Sequence, residues 1–266
     1  AQNQVPWDLL SNAEFTFNGD ELNTSSSIRW GQVTTDKIKI YVYAPVKIDG
    51  ANVKTVGQPV IEYTLPPYKT EEGGLKQTDI ITAVKDVAKS EYGKTVPLSF
   101  SHALTALKFK MGFACTIKSI TISGVYNKAD YKIGTGWINH SIDATVNEGK
   151  YIIDFGTTGK TVKAEEEVIP NSEVLMMIPQ TLPFQQQADN PMITVVYNNG
   201  SEDKTIKASL KGKKWEEGKL ITYTIYEKKQ DNYIYFDLSL GDVTIQKEGN
   251  EIKYKGRIYT NGGTEE

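Results

Sequence analysis

Two histidines are the first residues to consider, because imidazole combines metal binding with acid–base chemistry near neutral pH. His102 and His140 lie outside any HExxH zinc pattern, and a catalytic zinc would need a third protein ligand. His102 continues the apolar phase of its segment, which predicts a partly buried imidazole with a structural hydrogen bond. His140 is expected in an exposed loop. The chain also lacks a G-x-S-x-G elbow, a phosphate-binding glycine loop and a dinucleotide fingerprint.

Paired carboxylates could also run catalysis, since the two acids of a glycosidase can come from distant strands. The densest acidic runs are residues 165–167 and the pair Glu71 and Glu72. Both runs lie in polar, loop-like segments, where a solvated charge cluster is the expected role. The D-x-D-x-D spacing of a calcium loop is missing. We therefore predict a protein that is not an enzyme and that uses no cofactor or metal.

Aromatic side chains offer a third kind of chemistry, which is stacking on sugar rings. The chain has 15 tyrosines, and Trp137 and Trp215 could form a carbohydrate platform. Tyrosine is common on strands because its ring packs well on a pleated surface. We expect packing roles, with Trp215 sealing one end of a core.

The composition limits the classes of partner. The net charge is −3, from 30 basic and 33 acidic side chains, and Arg29 and Arg257 are the only arginines, so nucleic acid is an unexpected partner. Cys115 is the single cysteine, which rules out an intrachain disulfide. No apolar run is long enough for a spanning helix. The first residue is Ala1 and not Met, which predicts a start after a removed signal or at an artificial boundary.

The elements that would carry these residues are mostly strands. Apolar and polar residues alternate in residues 37–43, 119–123 and 219–227, which is the period of a strand with one buried face. The NNGS segment at residues 198–201 predicts a hairpin, because Asn-Gly favours the positive φ angles of tight turns.

Two segments break this regular pattern. Within residues 98–111 the apolar phase shifts by one residue, which predicts a bulge or bend near residues 103–106. Residues 78–89 have apolar side chains at helical spacing behind a Thr78 or Asp79 cap, which predicts one helix. The β-branched residues of this segment argue against that helix.

The strand pattern predicts an all-β protein of two antiparallel sandwich domains plus a C-terminal β extension. We place the N-terminal sandwich at residues 1–93 and the second at residues 94–228, because residues 69–93 are polar and irregular. Residues 229–266 carry three further strand-like runs, at residues 233–240, 243–247 and 251–259. These runs are more than a closed second sandwich needs.

Four motifs, in this order and spacing, give the chain a recognisable resemblance. They are VPLSFSHALTALKFK (96–110), IKSITISG (117–124), LMMIPQ (175–180) and WEEGKLITYTI (215–225). The QTDII segment at residues 77–81 precedes them in the same way. Together these motifs span about half of the chain. In their order and spacing, the sequence resembles the fimbrillin-like (Mfa-like) proteins of Bacteroidetes.

This resemblance implies a tandem pair of transthyretin-like β-sandwiches. It also implies export as a lipoprotein, with assembly at the outer surface as a fimbrial stalk, tip or anchor subunit or as an adhesin. Its partners would be other fimbrial subunits and a host protein or glycan receptor, and its membrane attachment would require a lipid anchor. In the family, an Arg-directed protease removes the first strand, and the C-terminal strand of a neighbouring subunit fills the groove. An extended segment can complete a sheet edge in this way through main-chain hydrogen bonds.

Mapped onto this chain, the resemblance gives a candidate processing site and two candidate exchange segments. Arg29 is the only arginine before residue 94, so it is the candidate processing site. The candidate exchange residues lie near both ends of the chain: Glu14, Phe15 and Phe17, and Tyr233, Tyr235, Phe236, Leu238 and Leu240.

Two alternatives remain open at this point. Residues 229–266 could be a donor segment, or they could begin a further β domain of a larger surface protein. The rival function is a carbohydrate-binding sandwich module, which would show an exposed row of Tyr or Trp side chains. A glycoside hydrolase is a weaker third hypothesis and would need two facing carboxylates in a cleft.

Overall fold

The fold is known from a computed structural model of the chain. The structure describes residues 13–18, 21–23, 35–68, 77–146, 149–169, 174–182, 191–227, 234–238, 246–248 and 251–253. Within these ranges the chain is all-β apart from short 3-10 turns, of which Lys89–Glu91 lies wholly inside them. The described part of the chain contains no helix long and apolar enough to cross a membrane.

Two sheets come mainly from the first half of the chain. Sheet I has three antiparallel strands in the order β3-β6-β7: β3 Lys37–Ala44, β6 Ile81–Ala88 and β7 Ser101–His102. Sheet II has four antiparallel strands in the order β11-β10-β5-β4: β4 Ala51–Lys54, β5 Val60–Thr64, β10 Lys128–Lys132 and β11 Gly136–Ser141.

Two further sheets are built from strands between residues 105 and 238. Sheet III follows the order β12-β9-β16-β17, with β13 also paired to β9: β9 Cys115–Ser123, β12 Tyr151–Asp154, β13 Lys160–Val162, β16 Met192–Asn198 and β17 Asp203–Ser209. Sheet IV follows the order β14-β8-β19-β20: β8 Thr105–Met111, β14 Leu175–Met177, β19 Leu220–Glu227 and β20 Ile234–Leu238. The β8–β19 pair is parallel, and every other strand pair of the described residues is antiparallel.

Three short pairs complete the strands. They are β1 Thr16–Asn18 with β2 Glu21–Asn23, β15 Gln180–Thr181 with β18 Lys214–Trp215, and β21 Gln246–Glu248 with β22 Glu251–Lys253.

Buried side chains of sheets II, III and IV form one continuous apolar cluster, and Tyr41 and Tyr43 of sheet I pack against it. Strand alternation builds it, since β8 buries Leu107, Phe109 and Met111 while the residues between them are half-buried. Sheets I and II meet where the hydroxyl groups of Thr82 and Tyr131 lie 3.3 Å apart. Just ahead of β9, the Phe113 ring packs edge-on against Tyr197 of β16, at 5.2 Å between centroids.

Several predictions from the sequence are confirmed. The three alternating segments are β3, the second half of β9, and β19. Strands β16 and β17 form the predicted hairpin, in which Asn198 pairs with Asp203 and Gly200 has a φ of 101°. The predicted bend lies at Ala103 and Leu104, where the chain leaves sheet I and enters sheet IV. The phase shift therefore reflects a change of sheet.

The predicted helix at residues 78–89 is wrong, because Ile81–Ala88 is strand β6 at the centre of sheet I. Ile80, Ala83 and Val87 are buried, and their spacing imitates a helical face. β-branched side chains favour the extended chain, and pairing with β3 and β7 supplies its hydrogen bonds.

The domain division at Gly93 stays a prediction, as does the tandem transthyretin-like arrangement. Strand β5 pairs with β10, from Lys128↔Thr64 to Lys132↔Val60. Sheet II therefore joins segments from both sides of the predicted boundary.

Candidate assembly interface

The C-terminal edge of sheet IV is the candidate assembly interface, because the last part of the chain pairs there. Strand β19 lies between β8 and β20 and buries Ile221, Tyr223 and Ile225. Its core face is supported by the stacked rings of Phe109 and Tyr223, with centroids 5.9 Å apart. Strand β19 is thus well packed on its core face, and its side away from β8 is available for pairing with a further strand.

Strand β20 occupies this edge and is antiparallel to β19. The register runs from Glu227↔Ile234 to Tyr223↔Leu238, and it places Phe236 opposite Ile225. Residues opposite each other in an antiparallel pair lie on the same face of a sheet. The apolar residues Phe236 and Leu238 therefore occupy positions opposite buried residues of β19.

The structure places the C-terminal exchange candidates as follows. Tyr235, Phe236 and Leu238 belong to β20, which pairs with its own chain. Tyr233 and Leu240 lie outside the described residues.

The N-terminal exchange candidates lie at the hairpin of β1 and β2. Phe17 pairs with Leu22, and Glu14 and Phe15 immediately precede β1. Glu14 is exposed, and 38% of Phe15 is accessible to solvent. Arg29 lies outside the described residues.

The carboxyl end of β19 is fixed by contacts beside Gly112. The Gly112 N–H donates to the carbonyl of Ile225 at 2.8 Å, and the Tyr226 ring lies against the Gly112 Cα. The Tyr226 hydroxyl donates to Glu165 Oε1 at 3.0 Å. These contacts hold the point from which the chain continues to β20.

Residues of the sequence motifs tie the sheets together. Gln180 is buried, accepts from Tyr126 N–H at 2.8 Å, and donates to the carbonyls of Tyr126 and Ile178 at 2.9 and 3.0 Å. Gln77 donates to the Pro66 carbonyl and accepts from Met176 N–H, at 2.9 and 2.7 Å. Burying an amide is unfavourable unless its groups are hydrogen-bonded, so these motif positions have structural roles.

The tryptophans also have structural roles. Trp215 is buried, as predicted, and its indole Nε1 donates to the Tyr223 hydroxyl at 2.9 Å. Trp137 is half-buried, and its Nε1 donates to the Ala103 carbonyl at 2.6 Å, beside the crossing from sheet I to sheet IV. The alternative role, a sugar platform, would need an exposed indole face, and Trp215 lacks one.

The two histidines differ from their predicted environments. His102 is largely exposed and pairs with Asp79, because both residues of the short strand β7 face solvent. His140 lies on β11, not in a loop, and its Nε2 donates to the Pro179 carbonyl at 2.8 Å. The described residues contain no group of three or more His, Cys, Asp or Glu side chains that could hold a metal ion.

The acidic run at residues 165–167 makes separate local contacts. Glu167 pairs with Lys108 at 2.9 Å, and Glu166 accepts from Lys163 N–H at 2.7 Å. Glu71 and Glu72 lie outside the described residues.

The largest pKa shifts among the described residues belong to buried core tyrosines. Burial raises the pKa of Tyr223 to about 12, although its hydrogen bond from Trp215 lowers it slightly. Burial also raises the pKa values of Tyr63 and Tyr151 above the ordinary range. The Tyr151 hydroxyl donates to the Leu65 carbonyl at 2.9 Å. Hydroxyl groups that stay protonated in a core are typical of structural tyrosines.

The sequence and the fold are both similar to those of known proteins. Residues 1–247 match the model of a protein family described as fimbrillin-like. A crystal structure of a fimbrial protein from Bacteroides vulgatus has 19% sequence identity and a TM-score of 0.62, over 87% of this chain and 84% of that chain. A candidate cell adhesion protein from Bacteroides ovatus has 16% identity and a TM-score of 0.51, over 88% of this chain and 74% of that chain. No curated protein shows significant sequence similarity.

Proposed function

The chain belongs to the fimbrillin-like family, and from this premise we propose that it is a non-catalytic, cell-surface fimbrial subunit or adhesin that assembles by β-strand exchange. Its partners are other fimbrial subunits, and a host protein or glycan serves as receptor. It is exported and reaches the outer membrane or a fimbrium, where a lipid anchor supplies any membrane attachment. The family supports the fimbrial role, and the β19 edge supports the mode of assembly.

The pairing of β20 with β19 is the observation that carries the strand-exchange proposal. It joins the C-terminal segment to the sheet edge through main-chain groups over five residue pairs, from Glu227↔Ile234 to Tyr223↔Leu238. Main-chain hydrogen bonds depend little on which chain supplies the strand. A second copy can therefore present residues 234–238 to the same edge with the same register.

The link between β19 and β20 affects the balance between self-pairing and exchange. Residues 228–233 are the link between β19 and β20. When β20 moves from its own β19 to a neighbour's, the hydrogen bonds that it loses and those that it gains are identical. The net free energy of exchange therefore comes mainly from association of the two chains and from the conformation of the link. The proposal thus requires a trigger that makes exchange between copies more favourable than pairing within one chain.

We assign this trigger to cleavage after Arg29. Removal of residues 1–29 would take away Phe15 and both strands of the β1–β2 pair, including Phe17 of β1, and would vacate the place of that pair. The C-terminal segment of another copy, with Tyr235, Phe236 and Leu238 at its centre, would then bind there or at a neighbour's β19 edge.

An arginine-specific protease tests this proposal sharply, because Arg29 and Arg257 are the only two sites in the chain. In an Arg257→Lys background, intact mass should show one cut after Arg29. Light scattering and electron microscopy should then show linear multimers. The matched Arg29→Lys variant should remain uncut and monomeric under the same conditions.

Two results would reject the proposal. One is a folded chain whose Arg29 bond resists the protease, which removes the processing step. The other is a cleaved chain that stays monomeric at high concentration, which removes strand exchange. Binding of a polysaccharide by the monomeric chain, without multimers, would instead support a carbohydrate-binding module.

A further inference from the structure

The first and last strands of residues 105–227, β8 and β19, are neighbours. The chain enters sheet IV from sheet I at Thr105, the first residue of β8, and it leaves β19 at Glu227. These strands pair in parallel, from Ala106↔Leu220 to Met111↔Ile225. Tension on the two ends of the protein would therefore act on this pair.

The parallel direction decides how such tension is distributed. The amino ends of β8 and β19 lie side by side, so the chain enters at one end of the pair and leaves at the other. Pulling these points apart slides the strands along each other and loads every inter-strand hydrogen bond at once. A hairpin pulled apart at its two free ends instead opens one bond at a time. Its hydrogen bonds lie perpendicular to the strands, so the pull acts along the outermost bond first.

The β8–β19 ladder is also long and shielded from water. It is extended at its ends by the hydrogen bonds from Gly218 N–H to the Leu104 carbonyl, at 3.0 Å, and from Gly112 N–H to the Ile225 carbonyl, at 2.8 Å. Both strands bury alternate residues in the core. Hydrogen bonds in a low-dielectric interior are stronger and are less easily replaced by water.

Strand β20 is loaded differently. It is antiparallel to β19, so its last described residue, Leu238, lies beside Tyr223 in the middle of β19. A pull on the C-terminus towards the carboxyl end of β19 would peel β20 away from Leu238 onwards, pair by pair. It would open before the parallel pair slides.

We propose that β8 and β19 form a load-bearing clamp that holds residues 105–227 folded under tension, and that β20 yields first. The clamp is a property of a single chain. The proposed fimbrial role supplies only the source of the tension, so a chain that fails to assemble would still have the clamp.

Single-molecule pulling in two directions tests the clamp without altering it. One handle is placed at the C-terminus in both cases. The second is attached through an azide-bearing residue at the exposed position Thr95, ahead of β8, or at the exposed position Ala114, just after β8. The Thr95 handle loads the pair from opposite ends, whereas the Ala114 handle loads it from one end. Matching circular dichroism spectra verify that both labelled proteins are folded.

The Thr95 protein should unfold at a several-fold higher force than the Ala114 protein at the same loading rate, because forced unfolding reports the unfolding barrier. Its main event should release about 400 Å of chain, the extended length of the segment between β8 and β19. A weak event of about 40 Å, from the peeling of β20, should precede it. Equal forces in the two directions, or a lower force for Thr95, would overturn the proposal.

Discussion

Replacing Gly112 by alanine tests how tightly the carboxyl end of β19 is fixed. A Cβ at Gly112 would lie 2.0 Å from Cδ1 and 2.1 Å from Cε1 of Tyr226, so the ring must move. The φ angle of Gly112 is outside the left-handed region, so alanine adds no backbone strain. The usual gain from Gly→Ala, about 0.4–1 kcal/mol, is then opposed by an overpacking cost of about 1–3 kcal/mol. We expect a net loss of about 1–2 kcal/mol in the free energy of unfolding.

The assay is urea unfolding followed by tryptophan fluorescence, and the control is a double-mutant cycle. Tyr226→Ala alone should destabilise the chain, because it removes the hydrogen bond to Glu165 and the half-buried ring. In the Tyr226→Ala background, Gly112→Ala should become neutral or stabilising, which gives a coupling energy of about 1–2 kcal/mol. A stabilised Gly112→Ala single variant, or additive effects in the cycle, would refute the reasoning.

Two further predictions concern buried polar groups. Gln180→Met should lower the midpoint of thermal unfolding. It leaves the N–H and carbonyl of Tyr126 without their hydrogen-bond partner, at a cost of about 1–3 kcal/mol for each buried group. The control Thr181→Ser, at the exposed neighbouring position, should change the midpoint little. An unchanged midpoint for Gln180→Met would contradict this role. The second prediction is that the protein loses stability at alkaline pH. The pKa of Tyr223 is about 12 in the fold and 10.0 when unperturbed, so the hydroxyl loses its proton at lower pH in the unfolded state. The free energy of unfolding should therefore fall between about pH 10 and pH 12. Urea midpoints across this range should fall less steeply for Tyr223→Phe, and identical slopes would contradict the buried hydroxyl.

Local sequence patterns predicted the elements whose structure depends on near neighbours. The Asn-Gly hairpin and the strands β3 and β19 need only period-two alternation and turn chemistry. The segment around β6 was mispredicted as a helix because a short apolar run fits both periods. Its pairing with β3 and β7 decides its structure, and those contacts are distant in sequence.

The candidate interface was only partly predictable. The apolar residues of the C-terminal segment indicated a strand, but its register on β19 arises from tertiary pairing. The parallel β8–β19 pair is likewise invisible to a local pattern. Gln180 and Gln77 were part of the motifs, yet their bridging roles depend on where Tyr126 and Met176 lie. The exposure of His102 follows from the change of sheet at Ala103.

The two sides of strand β19 have different proposed roles, one in mechanical strength and the other in assembly. The β8 side of β19 is a buried, parallel ladder, and the other side pairs with a segment from the end of the chain. Strand exchange at the outer side leaves the inner ladder intact. A subunit could therefore change partners without unfolding its core.

Disulfide trapping between two copies tests strand exchange most directly. Thr224 and Asp237 are directly opposite across β19 and β20, a distance that suits a disulfide. In a Cys115→Ser background, a Thr224→Cys copy and an Asp237→Cys copy are mixed, cleaved after Arg29 and oxidised. We predict a covalent heterodimer, while the double variant without cleavage forms only an internal disulfide. An internal disulfide in the double variant, together with no heterodimer in the cleaved mixture, would contradict strand exchange at the β19 edge.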